Sequence, residues 1–155
     1  MTQQLIEGQA LTRRDIAMLF GGNARAFLPR VSTGEIVAGC FDPEMNPRAP
    51  YEALVHNAPN AILAAKRLLE QNGPSKILNS GINIDQSPGV PIFLRRAPNV
   101  WEFVGRHRAV RYTEDPDEVA VRIYEIRPRV YERHARDYGQ IRGILFLEEA
   151  LTRSP

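Results

Sequence analysis

Aromatic and basic side chains are concentrated in one stretch of the chain, residues 90–112, which reads VPIFLRRAPNVWEFVGRHRAVRY. This stretch contains Trp101, the one tryptophan of the chain, and five arginines against a single carboxylate, that of Glu102. A protein that reads one base of a nucleic acid takes it out of the stack, holds it against aromatic faces and binds the flanking phosphates with arginine. The composition therefore predicts a nucleic-acid-binding surface. The alternative is that Trp101 and Phe103 are core residues of a β-hairpin with a solvated arginine rim.

Two sets of side chains are candidates for this surface. A planar guanidinium forms bidentate contacts with phosphate oxygens, so the phosphate-binding set comprises Arg95, Arg96, Arg106, Arg108 and Arg111. The base-binding set combines aromatic rings for stacking with amides, which offer a base edge both a donor and an acceptor. Its members are Trp101, Tyr51, Phe41, Asn46 and Asn23.

Motifs that are typical of catalysis or of cofactor binding are absent from the sequence. The three histidines, His56, His107 and His134, have no metal-ligand spacing among themselves or with the single cysteine, Cys40. The sequence contains no Gly-x-Ser-x-Gly elbow and no phosphate-binding or dinucleotide-binding glycine motif. We therefore predict a binding module without metal or cofactor rather than an enzyme.

Two other classes of function remain open at this stage. The first is a small metal-dependent nuclease or hydrolase, whose carboxylates would come from the proline-rich loop 42–52 as Asp42, Glu44 and Glu52. The second is a protein-interaction subunit of a larger system. Metal-dependent turnover would favour the first alternative, and stable partner binding without affinity for nucleic acid would favour the second.

Short β-strands must position the candidate side chains. Val90, Ile92 and Leu94 alternate with other residues as in a strand with one buried face, and Pro98 with Asn99 supplies a turn. A longer strand over residues 100–112 then completes a hairpin. Within it, a glycine at position 105 predicts a bulge or bend, which we expect to turn the following arginine and histidine side chains away from the core.

The remaining elements indicate an α+β fold. Thr12 and Asp15 form a capping-box pattern at the start of a helix that ends at Gly21. Further strands are predicted over residues 35–41, 53–55 and 141–147, further helices over 60–72 and 128–138, and either a strand or a helix over 119–126. About six short strands with two or three helices favour a compact barrel or a strongly curved sheet. We expect a single domain over residues 1–155.

The bulk composition fits a globular protein. Hydrophobic residues make up 43% of the chain, charged residues make up 25%, and the formal net charge is +2. The sequence has no apolar run near the roughly 20 residues that a membrane span needs, and its first residues lack the basic and apolar regions of a signal peptide. We therefore predict a cytoplasmic protein that does not bind membranes.

Segments 91–96 (PIFLRR) and 99–112 (NVWEFVGRHRAVRY) resemble the PUA-like and SRA-like domains of modification-dependent restriction endonucleases. The stretches TRRDIAMLFGGN, FDPEMNPRAP and RGILFLEE are also similar to these domains. The resemblance implies a β-barrel with flanking helices that binds DNA containing a modified base, usually by flipping that base out of the helix. No HNH nuclease pattern follows Leu147, so the resemblance implies a reader module that acts with a separate nuclease subunit. It favours DNA over RNA as the ligand.

Overall fold

The computed structural model describes residues 5–24, 26–29, 31–32, 36–56, 89–126 and 141–150. These residues form six strands and two helices, which in chain order are β1 (Ala10–Leu11), α1 (Arg13–Phe20), β2 (Gly39–Phe41), β3 (Glu52–His56), β4 (Val90–Ala97), β5 (Val100–Thr113), α2 (Pro116–Ile126) and β6 (Ile141–Glu149). The strands form one sheet in the order β2-β4-β5-β6-β3, and β1 also pairs with β5. The β2–β4 pair is parallel and the others are antiparallel. The predicted α+β class is confirmed.

The predicted hairpin is formed by β4 and β5. Val100 pairs with Ala97, so the turn consists of Pro98 and Asn99. Asn99 adopts a positive φ of 58°, a conformation that asparagine tolerates better than most residues. This turn places β4 and β5, which carry most of the candidate basic residues, side by side.

A β-bulge occurs at Gly105, as the sequence predicts. The register between β4 and β5 shifts between Pro91 and Phe93, and Gly105 has a φ of 98°. A bulge adds one residue to one strand, which reverses the alternation of side chains beyond it. Val104 before the bulge and Ala109 after it consequently pack on the same face of the sheet.

The expectation that this bulge turns the basic half of β5 away from the core is wrong for two residues. His107 and Arg108 are 1% and 0% exposed. The physical reason is that β5 remains a central strand beyond Gly105, because β6 pairs with it from His107 to Thr113 while Val90 of β4 still pairs with His107. His107 and Arg108 are successive residues whose side chains lie on opposite faces of the strand, and both are covered, whereas Arg106 and Arg111 are exposed.

The sheet carries one hydrophobic cluster along one of its faces. Its two end strands, β2 and β3, do not pair within the described residues, so the sheet is open there. Both end strands nevertheless contribute to the same cluster, which comprises Leu28, Ile36, Phe41, Ala53, Val55, Val90, Ile92, Leu94, Ala109, Leu145 and Leu147. This cluster therefore runs across one face of the sheet from one end strand to the other.

The two helices cover the opposite face of the sheet. Ile16 of α1 packs with Trp101, Phe93 and Phe103, whereas Val119 and Ile126 of α2 pack in a second cluster. The capping box of α1 is present as predicted, and α1 ends at Gly21 in the left-handed conformation.

Several sequence-based predictions fall on residues that the structure does not describe. The helices over 60–72 and 128–138 and the loop over 75–88 are outside the described residues. The predicted strand at 35–41 is observed over Gly39–Phe41, and the ambiguous segment 119–126 is helical. In the part of the chain that is described, no helix has the length and apolar character needed to cross a membrane.

Candidate functional site

Three of the five candidate arginines form ion pairs at the surface. Arg95 contacts Asp42 at 3.3 Å, Arg96 contacts Glu102 at 2.7 Å, and Arg111 contacts Glu118 at 2.9 Å. The guanidinium of Arg111 also lies 4.0 Å from the ring centre of Phe146. Exposed ion pairs of this kind contribute only about 0–1 kcal/mol. A phosphate could therefore compete with these carboxylates, but each of the three arginines already has a carboxylate partner.

The other two candidate arginines differ sharply in accessibility. Arg106 is exposed on β5, and its guanidinium donates to the carbonyl of Gly89 at 3.4 Å. Arg108 is 0% exposed, so it cannot reach a phosphate in this conformation. Arg106 is therefore the member of the set best placed to contact a ligand without breaking a carboxylate pair.

Three of the five base-binding candidates are structural. Trp101 is 9% exposed and packs against α1, with the guanidinium of Arg13 4.9 Å from its ring centre. Phe41 is 1% exposed and lies in the inner cluster. The side-chain oxygen of Asn46 accepts the backbone N–H of Leu54, which attaches the proline-rich loop to β3. A base could stack on Trp101 or Phe41 only if the core opened.

The remaining two candidates, Tyr51 and Asn23, are accessible. Asn23 is exposed in the segment after α1, and it does not line the cleft described below. Tyr51 is 57% exposed at the end of the proline-rich loop. Of the predicted base-binding set, the structure brings Tyr51 alone to this cleft.

A cleft of about 470 Å³ lies between the proline-rich loop and the sheet. Its lining residues are Glu7, Pro43, Pro47, Ala49, Pro50, Tyr51, Leu94, Arg96, Val104, His107 and Glu149. Leu94 and Val104 come from adjacent strands and give the cleft an apolar surface, while the prolines restrict the loop backbone. The loop is further held by its own backbone, since the amide of Leu147 donates to the carbonyl of Tyr51 at 2.7 Å.

Two carboxylates converge at the bulge. Glu7 precedes β1, and Gly8 fixes its position by donating a backbone hydrogen bond to Phe103 at 2.8 Å. Glu149 lies on β6 opposite His107. A Cβ atom on Gly105 would lie 2.8 Å from Oε1 of Glu7 and 3.8 Å from Oε1 of Glu149. The lack of a side chain at this position is therefore what allows the first carboxylate to approach the strand.

His107 is the buried polar group of the cleft. Its ring lies edge-on to that of Tyr51, with the ring centres 5.8 Å apart, and its Nδ1 is 3.4 Å from the carbonyl of Gly105. Burial lowers its pKa below the usual 6.5, although the Gly105 carbonyl and the carboxylates of Glu149 and Glu7 oppose that effect. His107 is therefore neutral at pH 7, and hydrogen bonding to a carbonyl requires that Nδ1 carry the proton.

The site residues that the sequence does not reveal are the two glutamates. Glu7 and Glu149 stand near opposite ends of the printed chain, and neither belongs to a motif. The one available sequence signal is Gly105, which predicts a bulge but not the groups that approach it. Pairing of β1 and β6 along the same edge of β5 brings these groups together.

The carboxylates of the nuclease alternative are not arranged around a metal. Among the described residues no group of three or more histidine, cysteine, aspartate or glutamate side chains could hold a metal ion. Asp42 pairs with Arg95. Glu52 pairs with Arg48 at 2.9 Å and with the largely buried Arg122 at 2.6 Å. The ion pairs of Asp42 and Glu52 connect parts of the fold.

Comparisons of the chain with protein-family models, with curated proteins and with solved structures returned no match.

Proposed function

We propose that this protein is a nucleic-acid-binding reader that takes a single base into the cleft beside Tyr51. The observation that carries the proposal is an exposed aromatic ring at the edge of a concave site that combines apolar side chains with charged and polar ones. Stacking of a base on an aromatic side chain contributes about 1–3 kcal/mol. Tyr51 takes the role that the sequence assigns to Trp101.

The dimensions and chemistry of the cleft support this proposal. A volume of about 470 Å³ falls within the roughly 300–1,000 Å³ of typical ligand pockets, which is room for a base with its sugar. Leu94 and Val104 offer apolar contact to a ring, and Glu7 and Glu149 offer acceptors to its edge. Polar groups placed around apolar contacts fix the orientation of a ligand and give specificity.

Arginines near the cleft supply contacts for the phosphates that flank a bound base. Arg96 lines the cleft. Arg106 is exposed on β5 but does not line the cleft, because it precedes His107 and successive side chains of a strand point to opposite faces. In this proposal Arg106 contacts a phosphate directly. Arg96 releases its ion pair with Glu102 and binds a phosphate instead. Phosphate contacts give affinity and orientation, and the cleft gives selectivity.

The finer fold assignment is part of the same proposal. We propose a PUA-like domain, supported by the sequence resemblance, by a sheet with one hydrophobic cluster along one face and by two helices on the other face. On this basis DNA is the preferred ligand over RNA, the protein is cytoplasmic, and it acts with a separate nuclease subunit.

Binding to modified duplexes tests the proposed function. Purified protein is titrated into fluorescent duplexes of one sequence, either unmodified or carrying one 5-methylcytosine, 5-hydroxymethylcytosine, N6-methyladenine or ring-nitrogen-methylated base, at two salt concentrations. We expect tighter binding to at least one modified duplex, and that preference is lost in Tyr51→Ala. Equal, strongly salt-dependent binding to all duplexes would instead indicate a nonspecific basic surface. No binding at low salt would contradict the proposal and favour the protein-interaction alternative.

A further inference from the structure

We infer that the base bound in this cleft is a cationic one, namely adenine or cytosine alkylated on a ring nitrogen of its pairing edge. This inference rests on the proposed function, because it specifies the chemical class of base that the same cleft accepts. It rests on the charges, the aromatic ring and the shape of the cleft.

The side chains that line the cleft carry more negative than positive charge. Glu7 and Glu149 line the cleft at its exposed rim, and within the described residues neither forms a salt bridge. The one cationic side chain of the lining, Arg96, contacts Glu102 at 2.7 Å, and His107 is neutral at pH 7. An occupant that excludes water from these carboxylates must replace their hydration, and a positive charge does so most effectively.

The second argument is the position of the aromatic ring. Tyr51 is 57% exposed at the cleft that the carboxylates also line. An aromatic face attracts a cation through its quadrupole, and recognition of quaternary nitrogen by aromatic rings is widespread. A flat cationic ring can stack on Tyr51 and is also attracted electrostatically to the two carboxylates. A neutral base can only stack.

The third argument concerns how the base reaches the cleft. Leaving the helical stack requires less energy when the base is damaged or unpaired. Methylation at N1 of adenine or N3 of cytosine blocks Watson–Crick pairing and also gives the base a positive charge at neutral pH. The same chemical change therefore releases the base from its partner and makes it complementary to the cleft.

Two pairs of isomeric bases provide the experiment. Single-stranded oligonucleotides of one sequence carry either 1-methyladenine or N6-methyladenine, and either 3-methylcytosine or 5-methylcytosine. The members of each pair have the same size and differ in charge, and single strands remove differences in duplex stability. By fluorescence anisotropy with the full chain, we expect at least about 10-fold tighter binding of the cationic isomer in both pairs.

Glutamine variants test whether the two carboxylates carry this preference. Glu7→Gln and Glu149→Gln, singly and together, keep the side-chain shape and should bring the ratio of affinities within each isomer pair toward one. The matched control is Glu125→Gln, which removes the same charge from an exposed position on α2 and should leave the ratio unchanged. Circular dichroism of each variant confirms folding.

The outcomes separate this inference from the proposed function. Equal or tighter binding of the neutral isomers, still dependent on Tyr51, would overturn the inference and leave the reader function intact. An affinity that depends neither on the modification nor on Tyr51 would overturn both proposals. The absence of binding to any oligonucleotide would also overturn both. An isomer preference that survives in the double glutamine variant would show that the carboxylates do not select the base.

Discussion

Tyr51 presents its ring to the cleft, with the buried ring of His107 edge-on beside it at 5.8 Å between centres. We expect Tyr51→Ala to weaken binding of the preferred oligonucleotide by about 1–3 kcal/mol, because one stacking surface is lost. Tyr51→Phe keeps the ring and should retain most of the affinity. Anisotropy titrations measure both variants. Equal affinities of wild type and Tyr51→Ala would remove Tyr51 from the site.

His107 makes the stability of the fold depend on pH. Its pKa in the folded protein lies below the usual 6.5 because burial disfavours the charged form. As the pH falls below about 6.5, the unfolded chain binds a proton that the folded chain does not, so the free energy of unfolding decreases. Above that pH the residue is neutral in both states and contributes no slope.

The test compares urea denaturation of wild type and His107→Asn between pH 5 and pH 8. The free energy of unfolding of the wild type should decrease more on acidification than that of the variant. Other titrating groups contribute equally to both proteins, so their effect disappears from the comparison. Parallel pH profiles would contradict the assignment of a lowered pKa to His107.

At the scale of elements, alanine substitution at two glycines distinguishes the effect of backbone strain from the effect of moving the Glu7 carboxylate. Gly105 and Gly8 have φ values of 98° and 92°. An added Cβ meets Oε1 of Glu7 at 2.8 Å at the first position and nothing within 4 Å at the second. Substitution with alanine should destabilise the fold by about 1–3 kcal/mol at either position, owing to the unfavourable backbone conformation.

The two variants should differ in ligand binding. Gly105→Ala displaces the flexible Glu7 carboxylate from the cleft and should reduce affinity, whereas Gly8→Ala should bind as the wild type does. Urea denaturation and anisotropy titrations give the two quantities separately. A loss of affinity in Gly8→Ala as large as that in Gly105→Ala would mean that strain, not the carboxylate position, controls binding.

Local sequence patterns are sufficient to predict several elements of this fold. The strand from Val90 to Leu94, the turn residue Asn99 and the capping pattern at Thr12 each depend on a few neighbouring residues, and these predictions are confirmed. The expectation that this strand has one buried face is wrong, because Phe93 on its other face is buried against Ile16 of α1. The bulge at Gly105 is also confirmed. Its consequence could not be predicted, because whether the following half of the strand is covered depends on β6, more than thirty residues later in the chain.

At the scale of the whole molecule, the cleft combines residues that are remote in sequence. Tyr51 is predictable as a candidate because it stands at the end of a polar, proline-rich loop, and loops often carry binding residues. Glu7 and Glu149 are not predictable, since only the order of strands in the sheet brings them to Gly105. The same limitation applies to the pairing of Arg95 with Asp42, 53 positions away.

The salt dependence of binding reports on the few arginines that remain available for phosphate. Arg106→Ala should reduce the slope of log affinity against log salt by about 1, because one phosphate contact is lost. Arg14→Ala removes an exposed arginine on α1, outside the cleft lining, and should leave the slope unchanged. Titrations at four salt concentrations measure both slopes. An unaltered slope in Arg106→Ala would exclude that phosphate contact.

The most direct test of the cleft as the base-binding site is a two-dimensional ¹⁵N–¹H NMR titration with a short oligonucleotide carrying one ring-nitrogen-methylated base. If the base binds in the cleft, the largest amide shifts should occur at Tyr51, Val104, Gly105 and Glu149, with little change at the exposed Tyr124 of α2. Repeating the titration with Tyr51→Ala should diminish those shifts at equal oligonucleotide concentration. Shifts that leave the cleft unaffected and concentrate on another surface would contradict the account.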